Sequence, residues 1–314
     1  MAKASGLGDN FCIGGFDLSG DVASLDKISG PVAPLEATTI NEFAEDRLFG
    51  LRSGTMQFTT YFDNTGTTTA PDLPDTTVPL VSTFPWYVFA TISGGTVTEV
   101  NVNGVNVGSG DGTYLIPPLG TVILTYTGTP TWVWLGVNAE HNALSTLPRT
   151  DTIATYLRGT ALGNAAASCL GVQLNYDPTR DNTGNLTLQV EVDADGYGLE
   201  WGIQLTPGLR ADVADTNGTY IDSGAASSFG AQAYLQLVAI IGTSVDVVVQ
   251  HSPDHSTWAT LIDFGSKTNI GSFREALSNT AAVDRYVRVI TTGTFTYAQF
   301  AVMFNRNQVA GTRF

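Results

Sequence analysis

Short alternating runs dominate the chain, each bounded by glycine, proline, asparagine or aspartate. Met56–Phe62 sets Met56 and Phe58 against Gln57 and Thr59, the period of a half-buried strand. Thr96–Gly108 predicts a hairpin. Val100 and Val102 lead into Asn103-Gly104, and Val105 and Val107 alternate back. Thr121–Thr127 and Thr131–Val137 predict further strands, as does Asp151–Leu157. Cys169–Asn175 and Leu186–Val192 predict a second hairpin around the polar tip DPTRDNTG. On its return strand Leu186, Leu188, Val190 and Val192 take one face; Thr187, Gln189, Glu191 and Asp193 take the other. Ala233–Ile241 is a nearly continuous apolar run, as in a strand buried on both faces. Ser244–Gln250, Trp258–Phe264, Arg285–Thr291 and Tyr297–Phe304 follow with turns between them, which predicts a sandwich.

Helical signals are few. Asn138–Leu147 has a capping Asn138 and Pro148 beyond its end, and Ser272–Leu277 reads as one helical turn. Phe11–Leu18 reads as a first strand kinked at Gly14-Gly15. Residues 20–54 read as a long excursion without a core of their own. That excursion carries Phe43, Leu48, Phe49 and Leu51, too apolar a set for a floppy linker. Apolar residues with nothing to bury them point to a partner surface.

The fold class expected is all-β with one or two short helices. Three units are expected: 1–63 with 138–205 as one β domain, 64–137 as a Thr/Pro/Asp-rich linker and small inserted β domain, and 206–314 as a C-terminal sandwich or second copy of the first. Gly54–Asp63 and Gly184–Asp193 share a glycine-led alternating layout, a hint of internal duplication.

Composition agrees with strands: 34 glycines and 14% charged residues, without the bias of a helical protein. The net charge of −15 and the presence of only three lysines disfavour tight binding of nucleic acid, whose phosphates need cations. An acidic wall would instead let a duplex slide past. Cys12 and Cys169 read as small buried hydrophobes. Residues 1–10 lack the apolar segment of a secretory signal, and no run has the length of a membrane span.

Chemistry is sparse. His251 and His255 have a metal-like spacing, but Pro253 puts them in a turn, where that spacing loses its meaning. Phosphate-loop and serine-elbow patterns are missing. The carboxylates sit on outward strand positions and loops, so the expectation is no enzyme, no cofactor and no metal site. Trp132 and Trp134 share a strand face and read either as glycan-stacking rings or, favoured in so small a domain, as its core.

Several segments together resemble the major tail proteins, or tail tube proteins, of bacteriophages with long non-contractile tails. They are GLGDNFCIGGFDLSGDVASL, LEATTINEFAEDRLFGLRSGTMQFTTYF, ALSTLPRTDTIATYLRGTALGN, NYDPTRDNTGNLTLQVEVDADGYGLEWG and RYVRVITTGTFTYAQFAVMF. The resemblance covers most of 7–63 and 138–310, and makes 64–137 a decorating module. It implies a homo-oligomer whose inner strands join into a ring-shaped β-barrel and whose rings stack into a tube. The rings would be trimeric with pseudo-sixfold symmetry if the chain is duplicated, or hexameric otherwise. Double-stranded DNA would pass through an acidic lumen without specific binding. The other partners implied are further tail proteins, with no membrane, in a virion assembled from protein made in the host cytoplasm. Carried onto this chain, Ser29–Gly54 becomes the stacking loop, with Glu36, Phe43, Leu48, Phe49 and Leu51 as inter-ring contacts. Glu191, Asp193 and Asp195 become lumen carboxylates. The alternative is a virion-associated carbohydrate- or receptor-binding β-sandwich.

Overall fold

A computed structural model describes residues 8–20, 22–39, 44–61, 67–69, 77–81, 88–93, 96–102, 105–110, 112–116, 120–126, 130–134, 144–145, 150–182, 184 and 186–309. These residues are all-β, and most of their strands belong to one large, mainly antiparallel sheet system. The candidate helix at 138–147 lies outside the described residues except for Leu144, which is buried in the first core, and Ser145.

The chain enters through β1 (Asn10–Ile13) and β2 (Phe16–Asp17), then β3 (Val22–Ser29), β4 (Val32–Glu36), β5 (Arg47–Arg52) and β6 (Thr55–Tyr61). The Gly-Gly site is a turn, not a kink. Gly14 and Gly15 take φ of 60° and 86°, and Ile13 pairs with Phe16 across them. Two consecutive left-handed residues make the tight turn that a right-twisted hairpin needs. The supposed excursion also contains a paired strand, since β3 lies along β6, with Leu25 and Ile28 opposite Phe58 and Met56. Two slips in that ladder blur the alternation of β3, which hid it in the sequence.

The middle segment forms two separate four-stranded sheets. One orders β11 (Val105–Gly108), β10 (Thr96–Val102), β9 (Val88–Ser93) and β8 (Thr77–Val81). The other orders β12 (Gly112–Ile116), β13 (Gly120–Tyr126), β14 (Pro130–Trp134) and β7 (Thr67–Thr69). The hairpin expected at 96–108 is present, with Val102 opposite Val105.

Next come β15 (Thr152–Leu157), β16 (Ala165–Gln173), β17 (Asp177–Arg180) and the 19-residue β18 (Leu186–Gln204). The sheet β1-β15-β16-β18-β6-β3 curls around a core of Phe11, Ile13, Met56, Phe58, Cys169, Val190 and Val192. Its curvature is strong enough that Phe11 meets Phe58, centroids 4.5 Å apart, although three strands separate β1 from β6. Among the described residues β3 pairs only with β6, so the sheet stays open.

The last third contains β19 (Arg210–Asp212), β20 (Thr216–Asn217), β21 (Ile221–Asp222), β22 (Ala231–Ser252), β23 (Ala259–Lys267), β24 (Gly271–Ala276) and β25 (Tyr286–Arg306). The runs expected as separate strands at 233–241 and 244–250 form one strand, β22; those at 285–291 and 297–304 form β25. The pair stays in register along nearly its whole length and absorbs its bend in slips between Leu237 and Ser244. Ala233 and Leu235 before the bend and Val247 and Val249 after it face one core with Val287, Phe300 and Val302. Ser272–Leu277 is not a helical turn. Gly271–Ala276 is strand β24, because the edge of β22 takes its backbone groups from Gln232 to Leu237.

The other face of β22 is polar and buried. Gln236 donates to the Ile153 carbonyl at 2.8 Å and to Thr155 Oγ1 at 3.0 Å, and it accepts the Gly15 amide at 2.9 Å. Gln232 donates to Glu200 at 2.7 Å, Tyr234 donates to the same carboxylate, and Arg274 Nε donates to the Tyr234 oxygen at 2.9 Å. Burial first, and then the Glu200 charge, push the Tyr234 phenol far up, so it stays a donor. This seam joins the C-terminal sandwich to the back of β15 and β16, beside a small apolar cluster of Ile153, Leu157, Ala166 and Met303.

Candidate functional site

β4 and β5 form a two-stranded sheet that pairs with no other strand among the described residues. Leu35 stands opposite Leu48, and Pro34 opposite Phe49. Alternation therefore puts Leu35 and Leu48 on one face and Pro34, Phe49 and Leu51 on the other. Both faces are bare. Leu35 is 53% exposed, Leu48 58%, Phe49 91% and Leu51 86%. Fully burying such a side chain is worth about 1.5–3 kcal/mol. A lone hairpin is marginal in water, so this one is held at its ends.

Near the tip, the Ala37 amide donates to the Asp46 carbonyl at 2.9 Å and the Asp46 amide to Thr38 Oγ1 at 2.8 Å. The Glu36 carboxylate accepts from the Thr38 amide at 3.2 Å and so closes the local turn. Glu45 and Arg47 form an exposed ion pair. At the base, the Ser53 amide donates to Pro31, and the Ala194 amide on β18 donates to the Gly54 carbonyl at 2.8 Å. A Cβ on Gly54 would sit 2.4 Å from the Leu199 amide nitrogen, so the approach to β18 requires glycine there.

The sheet face opposite the first core is polar over three strands. Across it run Ser24, Lys27 and Ser29 of β3, then Thr55, Gln57, Thr59 and Tyr61 of β6, then Thr187, Gln189, Glu191 and Asp193 of β18. Burial of Leu188, Val190 and Val192 on the inner side confirms the alternation read from the sequence. Thr55 Oγ1 donates to Asp193 at 2.8 Å, and Asp26 accepts from Ser24 and Thr59 at 2.8 and 2.9 Å. Glu191 is half-buried, with its amide donating to Asn175 at 2.8 Å, while Asp195 is exposed where β18 slips against β16.

Of the sequence-derived residues, the structure gathers Leu48, Phe49 and Leu51 on one hairpin with Glu36, and Glu191 with Asp193 on one face. Phe43 lies outside the described residues, as do the side chains of Trp132 and Trp134, whose backbones pair with Leu124 and Val122. His251 is taken up by Asp284, whose amide donates to it at 3.1 Å, and His255 by the rings of Tyr220 and Tyr286. The two thiols lie on opposite faces of β1-β15-β16, since Cys12 pairs with Thr155 and Cys169 with Ala154. Burial raises both, well up for Cys12 and to about 12 for Cys169, so neither is a nucleophile at neutral pH.

Sequence reading missed an aromatic group on the sandwich. Tyr220, His255, Trp258 and Tyr286 come together from segments too far apart for any local pattern. Their one local trace is HSPDHSTW, which reads as an ordinary turn.

No protein-family model matches the chain, and no curated protein matches it by sequence. Among solved structures, it has a distant likeness to the crystal structure of the SPP1 Dit protein, described as a paradigm of the hub adsorption apparatus in phages infecting Gram-positive hosts. That alignment covers 95% of this chain and 99% of the other, with 7% identity and a TM-score of 0.28. A likeness at that level carries no argument about fold or function.

Proposed function

We propose that this protein is a structural subunit of a bacteriophage tail tube, polymerising into stacked rings. The observation that carries the reading is the β4–β5 hairpin, which is bare on both faces and clamped at its base to β18. Such a hairpin is costly in water and stable against a neighbour, so it suits a joint between rings. The polar face of β3, β6 and β18 supports a second element of the reading, a wet wall along which duplex DNA passes without being held. The edge of β3, unpaired among the described residues, supports the third, since an open strand edge is a template for pairing with the next copy.

Ring order follows from how many tube-like units a chain supplies. The strands that share a glycine-led layout, β6 and β18, pair with each other within one sheet, Thr55 opposite Asp193 through Tyr61 opposite Thr187. That pairing favours one unit per chain and six chains per ring. Three chains per ring would need the β22–β25 sandwich to supply the second unit.

The test is the triple variant Leu48→Ser, Phe49→Ser, Leu51→Ser, assembled beside the parent protein and viewed by negative-stain electron microscopy. The expected outcome is folded rings or free subunits without long tubes. Long tubes from the variant would overturn the proposal.

A further inference from the structure

Tyr220, His255, Trp258 and Tyr286 form an aromatic platform at the surface of the C-terminal sandwich. The Tyr220 and His255 rings lie 5.4 Å apart and nearly parallel, 15° between planes. Tyr286 stands edge-on to both, 5.5 Å from Tyr220 and 5.2 Å from His255. Trp258 closes the group 6.2 Å from Tyr220. His255 is exposed, Tyr220 is 42% exposed, and Trp258 and Tyr286 are half-buried beneath them.

The platform is held in place before any ligand arrives. Among the described residues His255 is the one non-glycine with positive φ, at 51°. A side chain kept in the left-handed region persists where its surroundings over-determine it. Here Asp254 does so, accepting the amides of Ser256 and Thr257 at 2.9 and 2.8 Å and the Ser252 hydroxyl at 3.0 Å. The rim is likewise fixed. Arg285 forks onto Asp222 with two bonds of 2.6 Å. Arg288 donates to Gln250 at 2.9 and 2.8 Å while its guanidinium lies 4.1 Å over Trp258.

We infer that this platform is a binding site for uncharged oligosaccharide. A sugar ring has an apolar face for stacking on aromatic carbon and a girdle of hydroxyls for planar carboxylate, guanidinium and amide groups. Both kinds of partner meet here. Two arginines answer two aspartates, so the patch is locally balanced in a chain of net charge −15, which fits a neutral ligand. A protein partner fits less well. A stable interface buries about 800 Å² per side around a core poor in charge, whereas four rings enclosed by four charged residues match one or two sugar rings. The inference is independent of tube assembly, since it uses no residue of the hairpin or of the polar face.

The test uses the full chain and four named probes, cellohexaose, maltohexaose, laminarihexaose and chitohexaose, by saturation-transfer NMR with the thermal midpoint of each variant in parallel. At least one probe is expected to bind the parent. Tyr220→Ala and His255→Gly should each weaken that binding about ten-fold, the loss of one stacked ring and its positioning. His255→Gly also relieves the left-handed backbone, so its midpoint should not fall, and it decides the matter if Tyr220→Ala proves unstable. Trp132→Ala with Trp134→Ala should leave binding unchanged. Absence of transfer from all four probes at millimolar concentration would overturn the inference. So would binding that survives His255→Gly, or binding that depends on Trp132 and Trp134 instead.

Discussion

Single carboxylates do much of the ordering at the surface of this protein. Hydrogen bonds from the Thr257 and Ser256 amides hold the Asp254 carboxyl down to about 2, against an ordinary value of 3.8. A group whose folded value is depressed contributes stability above its unfolded value and loses it as pH falls through the folded one. The 252–258 turn should therefore keep its form down to about pH 3 and loosen near pH 2. The amide signals of Ser256 and Thr257 report this in a ¹H–¹⁵N NMR titration, with an expected midpoint near 2; a midpoint at 3.8 would mean those bonds do not form in solution. Asp222 is drawn down to about 2 as well, first by its bond from Arg285, so the platform's rim should titrate with its loop. None of this residue-scale order was legible beforehand. HSPDHSTW shows a turn, but the partners of its aspartate and of its second histidine are set by geometry and by distant chain.

At the scale of elements, strands whose side chains alternate cleanly were readable. Leu188, Val190 and Val192 point inward on β18 as the pattern predicts, and Val102 meets Val105 across Asn-Gly. Where a ladder slips, the reading failed. β3 escaped notice because its two slips break the alternation, and β22 and β25 were divided because a bulge imitates a turn. The polar seam was hidden for another reason. Gln232, Tyr234 and Gln236 occupy alternate positions of a run that otherwise looks apolar, and only their cross-sheet partners reveal a buried network. The hairpin base yields a test of how tightly β4 and β5 are fixed. Gly54→Ala drives a Cβ into the Leu199 amide and should cost about 1–3 kcal/mol, as overpacking does. Gly20→Ala meets nothing within 4 Å and should be close to neutral. Urea melts of the two variants make the comparison; equal midpoints would show that the base is slack.

Across the whole molecule, the chain builds two cores on either side of one seam, with β18 pairing to β6 and β16 in the first unit and to β25 in the second. The all-β class was legible from the turn spacing and glycine content. The sharing of β18 was not, because its alternating first half gave no sign that the strand continues to Gln204. The two four-stranded sheets of the middle segment pair with neither unit among the described residues. On the tube reading they decorate, so deleting 64–137 and joining the ends with a short Gly/Ser linker should leave assembly intact. Electron micrographs of the deleted protein make the check, and loss of tubes with retained β-sheet circular dichroism would assign that segment a part in assembly.

The Gly15 amide is bonded to Gln236, 221 positions later, and β25, the last strand among the described residues, closes both the seam and the sandwich. Contacts of such long range form late and slowly. During synthesis the sticky Leu48–Leu51 stretch emerges from the ribosome well before the strand that completes the body carrying it. On the tube reading, the nascent chain for that interval offers a docking element without a finished subunit behind it, which makes timing a hazard of its own. On the same reading, a half-made copy that found a neighbour's hairpin would poison a growing polymer. Coupling assembly to the pairing of β25 with β22 would limit that risk, with the topology of the fold as the proofreader.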